Sequence, residues 1–203
     1  MTEKCRKEKT GAGPGKTFIL DASAMTQWHT LVSEAEQDYG CRLNETMQSY
    51  LVFTLMRFAR DQQLNSGVIA IDFLSSLKLP NSLRNERLRQ IGDQCLLVSG
   101  LYPQSAERRQ VSVDYYVNIG RSAYHNISTV THRNIADLYR QLTESFILLM
   151  DLLQTIRQFS TPALQPIAAM ELWQETGSRA ALGQVSTNSL PVHQDLIKDI
   201  KKQ

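Results

Sequence analysis

Ile135, Leu138, Leu142, Phe146, Leu149, Leu153 and Ile156 follow one another at steps of three or four residues. That spacing keeps every one of them on a single face of an α-helix, whereas a half-buried strand would alternate at every second residue. The stretch 132–159 is therefore expected to form one long helix, the spine against which the rest of the chain packs.

The remaining segments carry the same period. Leu31, Val32 and Ala35 mark a helix from about Ala24 to Tyr39, with Gly40 as its stop. Asn44 is placed to cap a second helix, whose Tyr50-Leu51-Val52-Phe53 run is apolar nearly all round and predicts a central, buried element. Val68-Ile69-Ala70-Ile71 is β-branched enough to pass for a strand, but no second segment exists to pair with it, so a short helix closed by Pro80 is favoured. Ser82 is expected to cap a helix carrying Leu88, Ile91, Cys95 and Val98 on one face, with Gly100 and Pro103 ending it. Val113, Tyr116, Val117, Gly120, Tyr124 and Ile127 form the stripe of a further helix over 111–128, and Gly120 and Ala123 within it predict close approach of a neighbour. Ile167 to Ala181 makes a last, weaker helix interrupted by Gly177. The expectation is an all-α, single-domain helical bundle of six to seven helices around the long 132–159 helix.

Charge divides the chain into a body and two ends. The full sequence of 203 residues has a formal net charge of +2. Residues 1–17 hold Lys4, Arg6, Lys7, Lys9 and Lys16 against Glu3 and Glu8, and residues 194–203 hold three lysines against two aspartates, which leaves 18–193 at −2. The first is expected as a disordered basic segment, 18–181 as the helical domain and 182–203 as a flexible tail. A slightly acidic body lacks the basic footprint of a nucleic-acid reader, so nucleic acid is not an expected partner. Three cysteines at wide spacing (Cys5, Cys41, Cys95) form no CxxC pair and fit reduced thiols. With no apolar leader and no apolar run of about 18 residues, a soluble cytoplasmic protein without a membrane partner is expected.

Motif by motif, catalytic chemistry finds little footing. Gly11-Ala12-Gly13-Pro14-Gly15-Lys16-Thr17 invites a phosphate loop, but the position five before Gly15 is Thr10 rather than Gly, and no strand leads into it. The residues three before His29, His125 and His132 are Thr26, Ser122 and Thr129, so the Glu-x-x-His pattern of bundle metal sites is absent and no metal or other cofactor is expected. Cys95 lies on an apolar stripe near a helix C-terminus, where the dipole disfavours a thiolate, and is expected in the core. Asp151, set in Leu148-Leu149-Met150-Asp151-Leu152-Leu153, is expected at the edge of the buried face, reaching solvent or an arginine.

One constellation stands out. Asp114, Asn118, Arg121 and His125 follow at steps of four, three and four, so they form one row along a helix. Such a row is an anion or proton-transfer site in one reading and the solvated face of a surface helix in the other. Tyr124 beside it adds an interface-anchor residue type, and Asp93 on the preceding helix is a candidate to converge with Arg121, Tyr124 and His125 on a pocket.

Gly92-Asp93-Gln94-Cys95-Leu96-Leu97-Val98-Ser99-Gly100-Leu101-Tyr102-Pro103, followed by Tyr115-Tyr116-Val117-Asn118-Ile119-Gly120-Arg121-Ser122-Ala123-Tyr124, resembles a family of uncharacterised bacterial all-helical proteins over about residues 44–159. The resemblance implies a bacterial, cytoplasmic origin and carries over no activity and no functional residue. The absence of a recognisable catalytic or metal set, together with a helix expected to expose Tyr, Arg and His, leads to the expectation of a non-enzymatic module that binds a protein partner or self-associates into a homo-oligomer. The alternative is a small-ligand-binding or enzymatic helical domain with its pocket around Arg121 and His125.

Overall fold

The computed structural model describes residues 22–60, 67–108, 111–158 and 166–188, and these residues form helices and no strand. Helix α1 spans Ala22–Tyr39, α2 Glu45–Arg60, α3 Ile69–Ser76, α4 Asn81–Leu101 and α5 Pro103–Arg108. Then come α6 Val113–Val130, α7 Arg133–Glu144, α8 Phe146–Gln158, α9 Pro166–Thr176 and α10 Arg179–Asn188. The expected basic segment 1–17 with its Gly-rich stretch, and His193, lie outside the described residues.

Local signals set several boundaries as expected. Gly40 and Gly177 both adopt φ +72, the left-handed conformation that glycine takes without steric penalty, and they follow the ends of α1 and α9. Asn44 Oδ1 accepts from the Met47 amide at 2.9 Å and so satisfies one of the free donors at the start of α2. Ser112, expected inside the helix, does the same for α6 through the Tyr115 amide at 3.3 Å, whereas Ser82, expected to cap α4, lies within it, after Pro80 at the N-cap position and Asn81.

Four further expectations need correction. The spine 132–159 is two helices, because the backbone at Ser145 departs from helical values to φ −92 and ψ 11. The break falls where the chain changes partners: α7 lies on α6, whereas α8 packs mainly on α4 and α1. The apolar spacing continues through it unchanged, so periodicity alone does not reveal it. Second, the central helix is α4 and not α2. From Ile91 to Gly100 every residue of α4 except Gln94 is buried, while α2 leaves Phe53 49% exposed. Third, Gly100 does not end α4; it lies buried within the helix, where α8 crosses. Fourth, Leu182 does not open a tail, since Leu182–Asn188 continue α10. With the spine split and with the short α5 and the separate α10, the helices outnumber the expected six to seven.

Glycines set how closely α4 and its neighbours approach. A Cβ at Gly100 would lie 2.5 Å from Leu153 Cβ and 3.2 Å from the Met150 carbonyl oxygen. A Cβ at Gly120 would meet the Phe146 ring at 2.6 Å and Cys95 Cβ at 2.8 Å, which accounts for the close approach expected at that position. Replacing Gly100 with Ala gains about 1 kcal/mol of helix propensity, but it must separate two backbones at a cost of about 1–3 kcal/mol. Gly100→Ala is therefore expected to lower stability in urea unfolding. An unchanged or raised midpoint would show that the α4–α8 contact yields easily.

Candidate functional site

Asp93 is the polar centre of the bundle. It is 3% exposed on the buried half of α4, where an unpaired carboxylate would be strongly unfavourable. Donors from two other helices satisfy it. Tyr50 Oη of α2 donates to Oδ1 at 2.6 Å, and Tyr124 Oη of α6 donates to the same oxygen at 2.8 Å. Arg57 of α2 donates through Nη2 to Oδ2 and forms the ion pair. Tyr50 and Arg57 are seven residues apart, two helical turns, and so share a face of α2. Gly92 makes room for this arrangement: a Cβ there would lie 2.4 Å from a Tyr124 ring carbon. The ring can therefore lie against α4 with its hydroxyl reaching the adjacent carboxylate.

Aromatic packing surrounds these hydrogen bonds. Tyr139 of α7 stands with its ring centroid 6.3 Å from Tyr50 and 5.8 Å from Tyr124, and Phe146 lies 6.0 Å from Tyr124. Burial, and then the negative charge of Asp93, push the Tyr50 and Tyr124 hydroxyls well above the ordinary tyrosine range. The same two causes push Tyr139 up to about 12. These phenols are thus held neutral as hydrogen-bond donors, and the cluster ties α2, α4, α6 and α7 together. Its edge reaches solvent at Arg57, whose side chain is 40% exposed.

The sequence-derived candidates divide into two groups. Asp93 and Tyr124 meet, as the convergence reading requires. Arg121 and His125 do not join them: both are exposed, and Arg121 Nε donates to the Thr143 carbonyl at 3.3 Å. Asn118 donates to Asp114 at 2.7 Å on the same outer face. The row of Asp114, Asn118, Arg121 and His125 therefore lies along the outside of α6, with Asn118 bonded along the helix and Arg121 bonded across to α7. Tyr124 points the other way and is fully buried, which corrects its expected place as an exposed anchor beside the row. Tyr50, Arg57 and Tyr139 were not singled out by sequence. The available signal was the unpaired Asp93 itself, which had to find donors at helix spacing elsewhere.

A second buried carboxylate has a different setting. Asp151 is 1% exposed, so it does not reach solvent as expected, and among the described residues it forms no ion pair with an arginine; it accepts from hydroxyls and from the start of a helix. Tyr39 Oη donates at 2.7 Å, Ser178 Oγ at 2.5 Å and the Arg179 amide at 3.0 Å. The free amides and positive dipole end of α10 favour a negative group there. Burial nonetheless raises the carboxyl above the usual aspartate range, against the hydrogen bonds from Ser178 and Tyr39. Asp151 thus fastens α10 and α1 to α8. Cys95 is fully buried, as expected, and burial pushes its thiol upward.

Two helices present apolar side chains outward. On α3 and its flanks, Val68, Ile71 and Leu74 are 60%, 61% and 60% exposed, and Leu83 at the start of α4 is 59% exposed. Arg87 of α4 lies 3.9 Å from Asp72 of α3, and Leu83 is one turn before Arg87 on α4. On α9, Ile167, Met170 and Trp173 are exposed at the same three-residue spacing.

Among the described residues, no helix is long and apolar enough to cross a membrane, and no three His, Cys, Asp or Glu side chains are grouped to hold a metal ion. Comparisons with protein-family models, curated proteins and solved structures found no match to this chain.

Proposed function

We propose that the chain is a helical protein-interaction module whose contact surface is the outer face of α3 and the beginning of α4. The supporting observation is the stripe Val68, Ile71 and Leu74 at three-residue steps, with Leu83 at the start of the neighbouring α4, each about 60% exposed. Single exposed aliphatic residues are ordinary on protein surfaces, but a grouped set marks an interaction face. The stripe is also what a helix-packing contact requires, one side chain per turn on a rigid backbone. The small-ligand reading built on Arg121 and His125 has less support, because both side chains point away from Asp93 and Tyr124.

Native mass spectrometry after gentle lysis tests the proposal. The expected result is a bare multiple of the chain, or the chain with another polypeptide, and its loss in an Ile71→Glu/Leu74→Glu variant that keeps its helix content. Association that survives this substitution but disappears in Arg121→Ala/His125→Ala would move the surface to α6. An added mass of a few hundred daltons retained through purification would favour the ligand reading instead.

A further inference from the structure

The two outward apolar stripes carry opposite charge, and from this we infer that the α3 face of one copy docks on the α9 face of a second copy of this chain. The inference rests on the proposed interaction surface and names its partner.

Around the α3 stripe the uncompensated charge is positive. Lys78 lies just beyond α3, and Arg84 lies next to Leu83; among the described residues neither makes an ion pair. Glu86 is taken up by Arg89 at 2.7 Å, and Asp72 faces Arg87. Around the α9 stripe the charge is negative. Glu171, one turn after Ile167, and Glu175 are exposed on the flank of α9 that borders Val111, Ser112 and Val113, on a helix whose sequence, PIAAMELWQET, contains no basic residue. Burial and then the like charges of Asp114 and Glu171 raise the Glu175 carboxyl, a repulsion that a nearby cation would relieve.

Complementarity decides the pairing. An α3 face against its own copy would join two patches of net positive charge, and an α9 face against its own copy two patches of net negative charge. Like charges brought together across an interface are unfavourable, and only the mixed contact unites opposite signs. The apolar parts also match: Ile71 and Leu74 present one side chain per turn, as do Met170 and Trp173, and Trp is among the residue types that dominate interface energetics. Such a contact is heterologous, joining two different patches.

Sedimentation equilibrium of the purified chain is the test, over ~1 μM to ~1 mM, the range of small transient interfaces. The average mass is expected to rise with concentration and to fall back as salt is raised from ~50 to ~500 mM, because screening shortens the reach of the charges. Ile71→Glu alone and Trp173→Glu alone are each expected to stay monomeric. An equimolar mixture of the two retains one intact α3 face and one intact α9 face, and is expected to form a one-to-one pair. Charge reversal avoids any effect of Trp173 on folding: Lys78→Glu/Arg84→Glu and Glu171→Lys/Glu175→Lys each weaken association at least tenfold, and mixing them restores it. A wild-type chain that is monomeric throughout, or mixtures that stay monomeric, would overturn the pairing. So would a monomeric wild-type chain that co-sediments with phosphatidylserine vesicles through Ile71 and Leu74. The wider interaction reading would outlast that result only if the native mass spectrum shows another polypeptide that the Ile71→Glu/Leu74→Glu variant loses.

Discussion

Asp93→Ala is expected to cost about 2–4 kcal/mol, because it takes the acceptor from buried phenol donors at about 1–3 kcal/mol each. Total stabilities of about 5–15 kcal/mol make that a large share, so the variant should show a much lower urea midpoint or fail to fold at 37 °C. The loss comes less from the missing carboxylate than from what it leaves behind. Tyr124 is fully enclosed and its hydroxyl has no water to turn to, while Arg57, 40% exposed, can recover part of its hydration. The two contributions separate in a double-mutant cycle. Tyr124→Phe alone should cost about 1–2 kcal/mol, since it removes one donor to a charged acceptor. In the Asp93→Ala background the same change should cost little or stabilise, because it removes the stranded hydroxyl. Additive losses, or an Asp93→Ala effect below ~1 kcal/mol, would mean that the cluster is not a coupled unit.

Much of the bundle was legible because its determinants are local. Gly40 stops α1, Asn44 caps α2 and Gly120 admits a neighbour, and each is visible within a few residues of sequence. The break at Ser145 was not, since Leu142, Phe146 and Leu149 keep the helix spacing across it and only the change of partner from α6 to α4 requires it. Buried polar groups were legible as problems and illegible as solutions. Asp151 interrupts an apolar run, and Asp93 precedes the apolar run from Cys95 to Val98. Their donors, however, lie 31 to 43 residues away for Asp93 and 112 away for the Tyr39 hydroxyl at Asp151, a pairing that only the packed fold defines. The α6 row illustrates the converse: regular spacing of Asp114, Asn118, Arg121 and His125 is a property of one helix, and says nothing about whether a second element comes to meet it. The α3 and α9 faces escaped sequence reading because Ile71 and Met170 look like core residues until the packing leaves them outside.

Alkali should unfold this protein through the same cluster. Tyr50 and Tyr124 are held protonated in the fold, whereas in the unfolded chain a tyrosine ionises near ~10. Above that pH the unfolded state binds fewer protons than the folded one, so stability falls as pH rises, and below it these residues make no contribution to the slope. Each phenol that keeps its proton in the fold adds to the loss, so the pair makes stability fall increasingly as pH rises above the unfolded value. Tyr139, pushed up to about 12, adds to the slope in the same direction until it ionises itself. Denaturant unfolding at pH 8, 10 and 11 measures the loss directly, and Tyr124→Phe should make the dependence shallower by about one proton. Phenolate absorbance followed together with far-UV circular dichroism gives an independent reading. The last tyrosines should ionise only as helix signal disappears. If all seven tyrosines titrate by pH 11 while the helix signal remains native, the hydroxyls are not held by Asp93 as the geometry requires.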